Sequence, residues 1–186
     1  MPTQETPRDR VRFDLSRGRV QSAGDRVVMV PTAAFDDLGK KVGLEAACDF
    51  GRAMGSSLGA GLGKRLGGSD GVRSASIERV VTELGTELAV SGWGSLHMER
   101  WGRAMLLVVE DTPLAEYRFI AAILEGALST ASGQKVHCVP LTAEGVARIL
   151  VAGSAVVERA RGWVAEGVAW RDVLTRVQSS GEGGRS

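Results

Sequence analysis

Side chains that carry most metal and nucleophilic chemistry are scarce in this sequence. Its 186 residues include two cysteines, Cys48 and Cys138, and two histidines, His97 and His137. A zinc site needs three or four converging ligands, and two cysteines provide no disulfide framework. We therefore expect no catalytic group, no metal site and no cofactor. The cysteines are expected to be buried as hydrophobic residues and the histidines to lie at polar edges.

Excess charge and long apolar runs are also missing. The formal net charge is +1, so no overall field attracts nucleic acid or an anionic membrane. No run approaches the ~20 apolar residues that span a bilayer, and residues 1–15 lack the apolar core of a signal peptide. We expect a cytoplasmic protein with one α+β domain over 11–178. A flexible N-terminus at 1–10 and a disordered Ser/Gly-rich tail at 179–186 would flank it.

The glycine-rich stretch over 55–68 does not fit a phosphate-binding loop. A Walker loop needs a glycine, four further residues, and then Gly-Lys-Ser/Thr. Here Lys64 is followed by Arg65, and Leu58 stands where the first glycine is required. The dinucleotide pattern Gly-x-Gly-x-x-Gly fails as well, because its last position is also Lys64.

What is abundant is glycine at a spacing of four, which indicates a helix over 44–66 with one edge free of side chains. The repeated positions are Gly51, Gly55, Gly59 and Gly63. Glycine inside a helix costs ~0.5–1 kcal/mol relative to alanine, so close approach of another backbone is the expected compensation. Beside the glycines, Leu58 and Leu62 offer apolar side chains. The stripe is expected to pack against the chain's own helix at 76–91 or against a second copy.

The remaining periodicity predicts an antiparallel sheet packed by long helices on one side, in the α+β class. Short strands are expected at 11–15 and 26–30, separated by a turn at 16–25, and Thr32 is the expected N-cap of the next helix. Two strand pairs are expected, at 96–101 with 104–109 and at 134–141 with 147–152. The expected helices are 32–41, 44–66, 76–91, 114–132, 154–166 and 170–177.

The order of these segments resembles the 4-vinyl reductase domain and its relatives, the small Bet-type subunits of the TRAPP tethering complex. The resemblance covers roughly residues 26–153. Its features are RVVMVP before a helix, the helix LEAACDFGRAMGSSLG, the helix SIERVVTELGTELAVSGWG, the hairpin LHMERWGRAMLLVVEDTP, the helix FIAAILEGALSTASGQKV and the strand ARILVAG.

This resemblance implies a fold that dimerises through its long helices and holds an apolar cavity near the sheet. Many bacterial and archaeal members carry a cysteine pair before the last strand. Those positions are Leu141 and Ile149 here, so a thiol or metal role at that pair is absent. Haem-binding relatives use a Tyr-x-Ser-x-Arg motif, which is not present after Tyr117. In TRAPP subunits an acyl chain is carried on a buried cysteine, which makes Cys48 a candidate acyl site.

Large side chains near the expected cavity complete the candidate site. They are Met54, Trp93 and Trp101, together with Cys48. Tryptophan is enriched at cavity mouths and partner interfaces, although most tryptophans only bridge core and surface.

Two functions follow. The first is a non-enzymatic homodimeric binding or scaffold module that holds a hydrophobic small molecule or acyl chain and regulates a protein partner. The second is an accessory enzyme or carrier in lipid or tetrapyrrole metabolism that uses the same cavity.

Overall fold

The computed structural model describes residues 11–22, 25–142 and 145–179. The predictions for 1–10 and 180–186 lie outside these residues, and Ser179 is the last residue of a helix. The elements in chain order are β1 (Val11–Asp14), β2 (Arg19–Ser22), β3 (Asp25–Val27), α1 (Thr32–Val42), α2 (Leu44–Leu66), α3 (Gly68–Ser74), α4 (Ile77–Val90), β4 (Ser95–Trp101), β5 (Ala104–Glu110), α5 (Tyr117–Ser132), β6 (His137–Pro140), β7 (Ala147–Ala152), α6 (Ser154–Ala165) and α7 (Trp170–Ser179).

The main sheet is antiparallel, with the strand order β4-β5-β7-β6. The predicted hairpin forms with Trp101 opposite Ala104, and β7 pairs with both β5 and β6. Because β5 is buried on both faces, its residues form an almost continuous apolar run instead of an alternating one. The strand order makes β4 and β6 the two edges of this sheet.

Helices cover both faces of the sheet. The long helices α2, α4 and α5 share one core with Leu107, Val109 and Ile149, which point to that face. The opposite face, with Leu106 and Val108, packs against the shorter α6 and α7. The α+β class is confirmed, and the long helices lie on one side as expected. The covering of the second face by α6 and α7 was not part of the prediction.

The N-terminal segment differs from the sequence-based prediction. β1, β2 and β3 form a separate three-stranded antiparallel sheet, so a strand occupies part of the expected turn at 16–25. The turn is shorter because Gly18, with φ of 57°, closes it within four residues. β3 ends at Val27, and Thr32 lies inside α1 without a capping hydrogen bond, since Pro31 takes the N-cap position.

One helix, α3, was not among the helices expected from the sequence. Gly67 does end α2 in the left-handed conformation, with φ of 88°. The chain then starts α3 at once. A Cβ at Gly71 would lie 1.8 Å from the Leu66 carbonyl oxygen, so only glycine allows the two helices to meet this closely.

The glycine stripe packs within the chain, against α5. A Cβ at Gly55 would lie 2.0 Å from the Ile123 carbonyl oxygen, and one at Gly59 would lie 2.2 Å from that of Ala127. The contact is reciprocal, because a Cβ at Gly126 of α5 would lie 2.1 Å from the Arg52 carbonyl oxygen. The stripe therefore meets neither of the two partners suggested by the sequence, the helix at 76–91 or a second copy. It lies against a third element, and a second copy has no access to it.

Candidate functional site

A groove of about 870 Å³ runs along the β6 edge of the sheet. It opens between the two helical layers, since α2 and α5 line one wall and α6 lines the other. The strand β6 forms the floor between them. On α2 the lining residues Leu44, Cys48 and Arg52 are four apart, so they form one helical face next to the glycine stripe. Packing of that stripe on α5 therefore sets the position of the groove wall.

The apolar part of the lining comes from all three layers. Leu44 of α2, Ala121 and Ala122 of α5, and Val164 of α6 lie around the floor residue Val139. A cavity of roughly 150 Å³ lined by apolar side chains suffices to hold benzene. The groove is several times larger and lies within the size range of small-molecule sites. It has room for a ligand larger than a single ring.

The charged side chains of the groove balance each other. Three glutamates line it, Glu45, Glu116 and Glu125, and so do three arginines, Arg52, Arg118 and Arg161. Each arginine has a carboxylate neighbour on its own element or across the groove. These pairs are Arg52 with Asp49 and Glu125, Arg118 with Glu116, and Arg161 with Glu158. The lining therefore carries no excess charge that would select an ionic ligand.

Glu125 is the central polar residue of the groove, with its side chain only 16% exposed. Its Oε2 accepts a 3.0 Å hydrogen bond from the backbone N–H of Cys138 on β6. Its other neighbours are Arg52, with Nη1 at 3.8 Å, and His137, with Nδ1 at 4.0 Å. The carboxylate thereby ties α5 to the edge strand and to α2.

Both cysteines line this groove, and neither is a ready nucleophile. Burial raises the pKa of the Cys48 thiol, although Arg52 and Arg118 partly oppose the shift. Burial also raises the pKa of Cys138, and the nearby Glu125 carboxylate adds to the effect. The thiolate is the reactive form, so both side chains are mostly protonated and unreactive near neutral pH. Among the described residues, no cluster of three or more His, Cys, Asp or Glu could hold a metal ion.

A second cavity of about 400 Å³ adjoins the first beneath α1. The two share Leu44, Ala115 and Glu116 in their walls. The second one is lined by the aromatic rings of Phe35 and Phe119. These rings belong to a packed aromatic group, in which Phe35 lies 5.2 Å from Trp93, centroid to centroid. The aromatic group holds α1 over the cavity.

The four candidate cavity residues from the sequence end up in different places. Cys48 lines the larger groove. Trp93 is buried and supports the second cavity through its contacts with Phe35 and Phe119. Met54 packs against the core of the long helices. Trp101 lies on the face of the sheet that α6 and α7 cover, where its ring meets Trp170 of α7 edge-on at 5.1 Å. The structure thus does not bring the four residues together.

Sequence reasoning missed most of the groove. Arg52 shares a helical face with Cys48, and this spacing could have identified it. Glu125 and Arg161 gave no such signal, because their helices are separated in the sequence by β6 and β7. The packing of three layers around one sheet edge brings them together.

The fold and the groove define an α+β domain with an apolar cleft at one edge of its sheet. No protein-family model matches the chain, and no curated protein matches it. Fourteen chains of solved structures do match. One is the phenol-responsive sensory domain of the transcription activator PoxR, in a crystal structure with phenol. Its sequence is 16% identical, the TM-score is 0.57, and the match covers 76% of this chain and 84% of that chain. The likeness is therefore one of fold.

Among the described residues, no helix is long and apolar enough to cross a membrane.

Proposed function

We propose that the chain is a non-enzymatic module that binds a hydrophobic, uncharged small molecule in the groove along β6 and in the adjoining cavity. The observation that carries this proposal is the groove of about 870 Å³, whose apolar lining is bordered by equal numbers of glutamates and arginines. Such a site favours a ligand through burial of apolar surface and offers no net charge for an ionic one. The chemistry of the thiols also argues for binding, because both cysteines are held in the protonated form.

The sensory domain of PoxR supports the same proposal by its fold. That domain is described as phenol-responsive and was determined with phenol. By analogy, ligand binding would be read out by a protein partner, and the module would act as a homodimer in the cytoplasm. The narrower resemblance to 4-vinyl reductase and TRAPP proteins, including an acyl chain on Cys48, stays a prediction.

The test uses two uncharged probes, phenol as a single ring and the methyl ester of cis-parinaric acid as a long chain. Binding is measured by calorimetry and by thermal melting. A ligand at ~100 times its Kd stabilises the folded state by ~2.7 kcal/mol. We expect at least one probe to bind the wild-type protein and raise its melting temperature.

Ala115→Trp is the variant that tests the location. Ala115 is exposed and lies in the wall shared by both cavities, so an indole there fills space without disturbing the core. Ala60→Trp on the exposed side of α2 is the matched control, since Ala60 lines neither cavity. We expect Ala115→Trp to weaken binding at least tenfold and Ala60→Trp to leave it unchanged. If both variants bind the probes equally well, the ligand does not bind in the groove. If neither probe binds the wild-type protein, the proposed ligand class is wrong.

A further inference from the structure

The two side-chain hydroxyls that line the groove are already bonded to the backbone. The Tyr117 hydroxyl donates to the carbonyl of Gly145. The Thr142 hydroxyl donates to the Val146 carbonyl at 2.7 Å and accepts a 3.0 Å bond from the Arg148 N–H. Both groups therefore hold the connection between β6 and β7, and neither has a proton left to donate to a ligand.

The Glu125 carboxylate, in contrast, leaves one of its oxygens open. A carboxylate has about four positions that accept hydrogen bonds. One is used at Oε2, by the backbone N–H of Cys138. At Oε1 the Arg52 guanidinium approaches only to 3.8 Å, which is too long for a hydrogen bond, and its Nη2 donates to Asp49 instead. Glu125 thus retains acceptor capacity at Oε1.

This oxygen can be reached from the groove. Glu125 belongs to the groove lining. In the part of the chain that the structure describes, Oε1 is not one of the buried side-chain atoms that lack a hydrogen bond. Since no described residue donates a hydrogen bond to it, Oε1 is an accessible acceptor at the wall of an apolar groove.

The wall beside the carboxylate is apolar and has small side chains. Helical side chains lean over the preceding turn, which places the Glu125 carboxylate over Ala121. Ala121 and its neighbour Ala122 are 3% and 4% exposed, and both line the groove. Their methyl groups leave room for a ligand next to the carboxylate. An apolar molecule packed on this wall has Oε1 within reach of one polar substituent.

The other charged groups of the groove are poorer at distinguishing ligands, because water competes for them. The side chains of Arg52, Arg118 and Arg161 are 42%, 62% and 45% exposed. The side chain of Glu125 is 16% exposed. A hydrogen bond made where water is mostly excluded is stronger than the same bond at the surface. Glu125 is therefore the charged group with the largest effect on which ligand is bound.

We infer that the groove binds uncharged apolar molecules that carry a hydroxyl group, and that Glu125 Oε1 accepts the hydrogen bond from this hydroxyl. The inference rests on the proposed function and narrows its ligand class. A carboxylate only accepts hydrogen bonds, so it favours a ligand that donates one. The Arg52 guanidinium 3.8 Å away already supplies the compensating positive charge, so the ligand need not be a cation. An ether or ester of similar size lacks the donor and leaves the acceptor unpaired, which weakens its binding.

The first test compares phenol with anisole, in which a methyl group replaces the hydroxyl proton. Calorimetry gives the ratio of their Kd values for the wild type and for Glu125→Gln. Glutamine keeps an oxygen for the Cys138 N–H and presents its NH₂ group to the groove, where it donates equally to the oxygen of either ligand. We expect the wild type to bind phenol more tightly than anisole, and Glu125→Gln to reduce this preference at least tenfold.

Glu166→Gln is the matched control, because it removes the same charge at a position next to the groove. Glu166 is exposed, follows α6 directly and lines neither cavity. We expect this variant to keep the wild-type ratio. A general loosening of the groove affects both ligands and so cancels in the ratio.

A second measurement uses the wild-type protein alone and does not depend on the folding of a variant. The carbon-13 resonance of the Glu125 carboxyl reports on hydrogen bonds that the carboxylate accepts. We expect saturating phenol to shift this resonance and saturating anisole to leave it near its position in the free protein. Binding of phenol without such a shift would overturn the contact with Glu125.

The outcomes separate this inference from the proposed function. If phenol and anisole bind the wild type equally well, or if Glu125→Gln keeps the preference for phenol, the role of Glu125 is wrong while the groove remains a binding site. Tighter binding of the benzylammonium ion than of phenol would overturn the uncharged ligand class. If phenol, anisole and the methyl ester of cis-parinaric acid all fail to bind, both the proposed function and this inference are wrong.

Discussion

Replacing Gly55 with alanine adds one methyl group at the closest point between α2 and α5. The new Cβ would lie 2.0 Å from the Ile123 carbonyl oxygen and 2.8 Å from its carbonyl carbon. Both atoms belong to the backbone of a helix, so no side-chain rotation can relieve the contact. Gly63 offers a matched control on the same stripe, because its Cβ would lie 4.0 Å from the nearest atom, the Ala131 carbonyl oxygen.

The two substitutions are therefore expected to change the free energy of unfolding in opposite directions. Overpacking of a core typically costs ~1–3 kcal/mol, and a contact this short with backbone belongs at the upper end. Against that, alanine gains up to ~1 kcal/mol over glycine in a helix interior. We expect Gly55→Ala to lower the free energy of unfolding by about 2 kcal/mol and Gly63→Ala to raise it by up to ~1 kcal/mol. For a chain of this length, 1 kcal/mol corresponds to ~2–4 °C in melting temperature.

The assay is urea unfolding of both variants, followed by circular dichroism and by tryptophan fluorescence, to which the buried Trp93 contributes. A coincident transition by both probes supports the use of a two-state analysis. Gly126→Ala provides an independent check from the α5 side, because its Cβ would meet the Arg52 carbonyl oxygen at 2.1 Å. If Gly55→Ala is as stable as Gly63→Ala, the close packing of these backbones is wrong.

Three further predictions concern individual side-chain contacts. Arg65→Met should lower the free energy of unfolding by ~2–3 kcal/mol, because it removes the cation 2.9 Å from the buried Glu87 carboxylate. In urea unfolding, the double variant Arg65→Met/Glu87→Leu should recover part of this loss. No recovery in the double variant would contradict the pairing of Arg65 with Glu87. Phe35→Ala should speed hydrogen exchange throughout α1, since the Phe35 ring packs on Trp93 and Phe119; unchanged exchange would mean that other contacts hold this helix. The raised pKa of the Cys138 thiol keeps this group protonated in the folded state, whereas the same thiol in the unfolded chain ionises near pH ~8.5. The free energy of unfolding should therefore fall as the pH rises above that value. Unfolding measured at successive pH values should show a smaller fall in Cys138→Ala, and an identical fall in both proteins would contradict the burial of the thiol.

Local patterns identified most of the elements. The glycine spacing located α2, and the apolar runs on either side of Gly102-Arg103 located β4 and β5. These features depend on residues close in sequence, whose periodicity is a direct consequence of helix and strand geometry. The short β2 and α3 were missed, because glycine and charged residues in short segments carry little periodicity.

The sequence by itself determined that one edge of α2 would meet another backbone, because glycine at a spacing of four has no other compensation in a helix. It did not determine which helix would meet that edge. α4 and α5 are both amphipathic, and the choice depends on Gly126, which only becomes informative when it is seen opposite Arg52. The groove has the same origin: Cys48, Glu125 and Arg161 come from three distant helices, and the end of the sheet at β6 brings them together. Tertiary structure decided both, because contacts between layers depend on the order of strands in the sheet, which local periodicity does not encode.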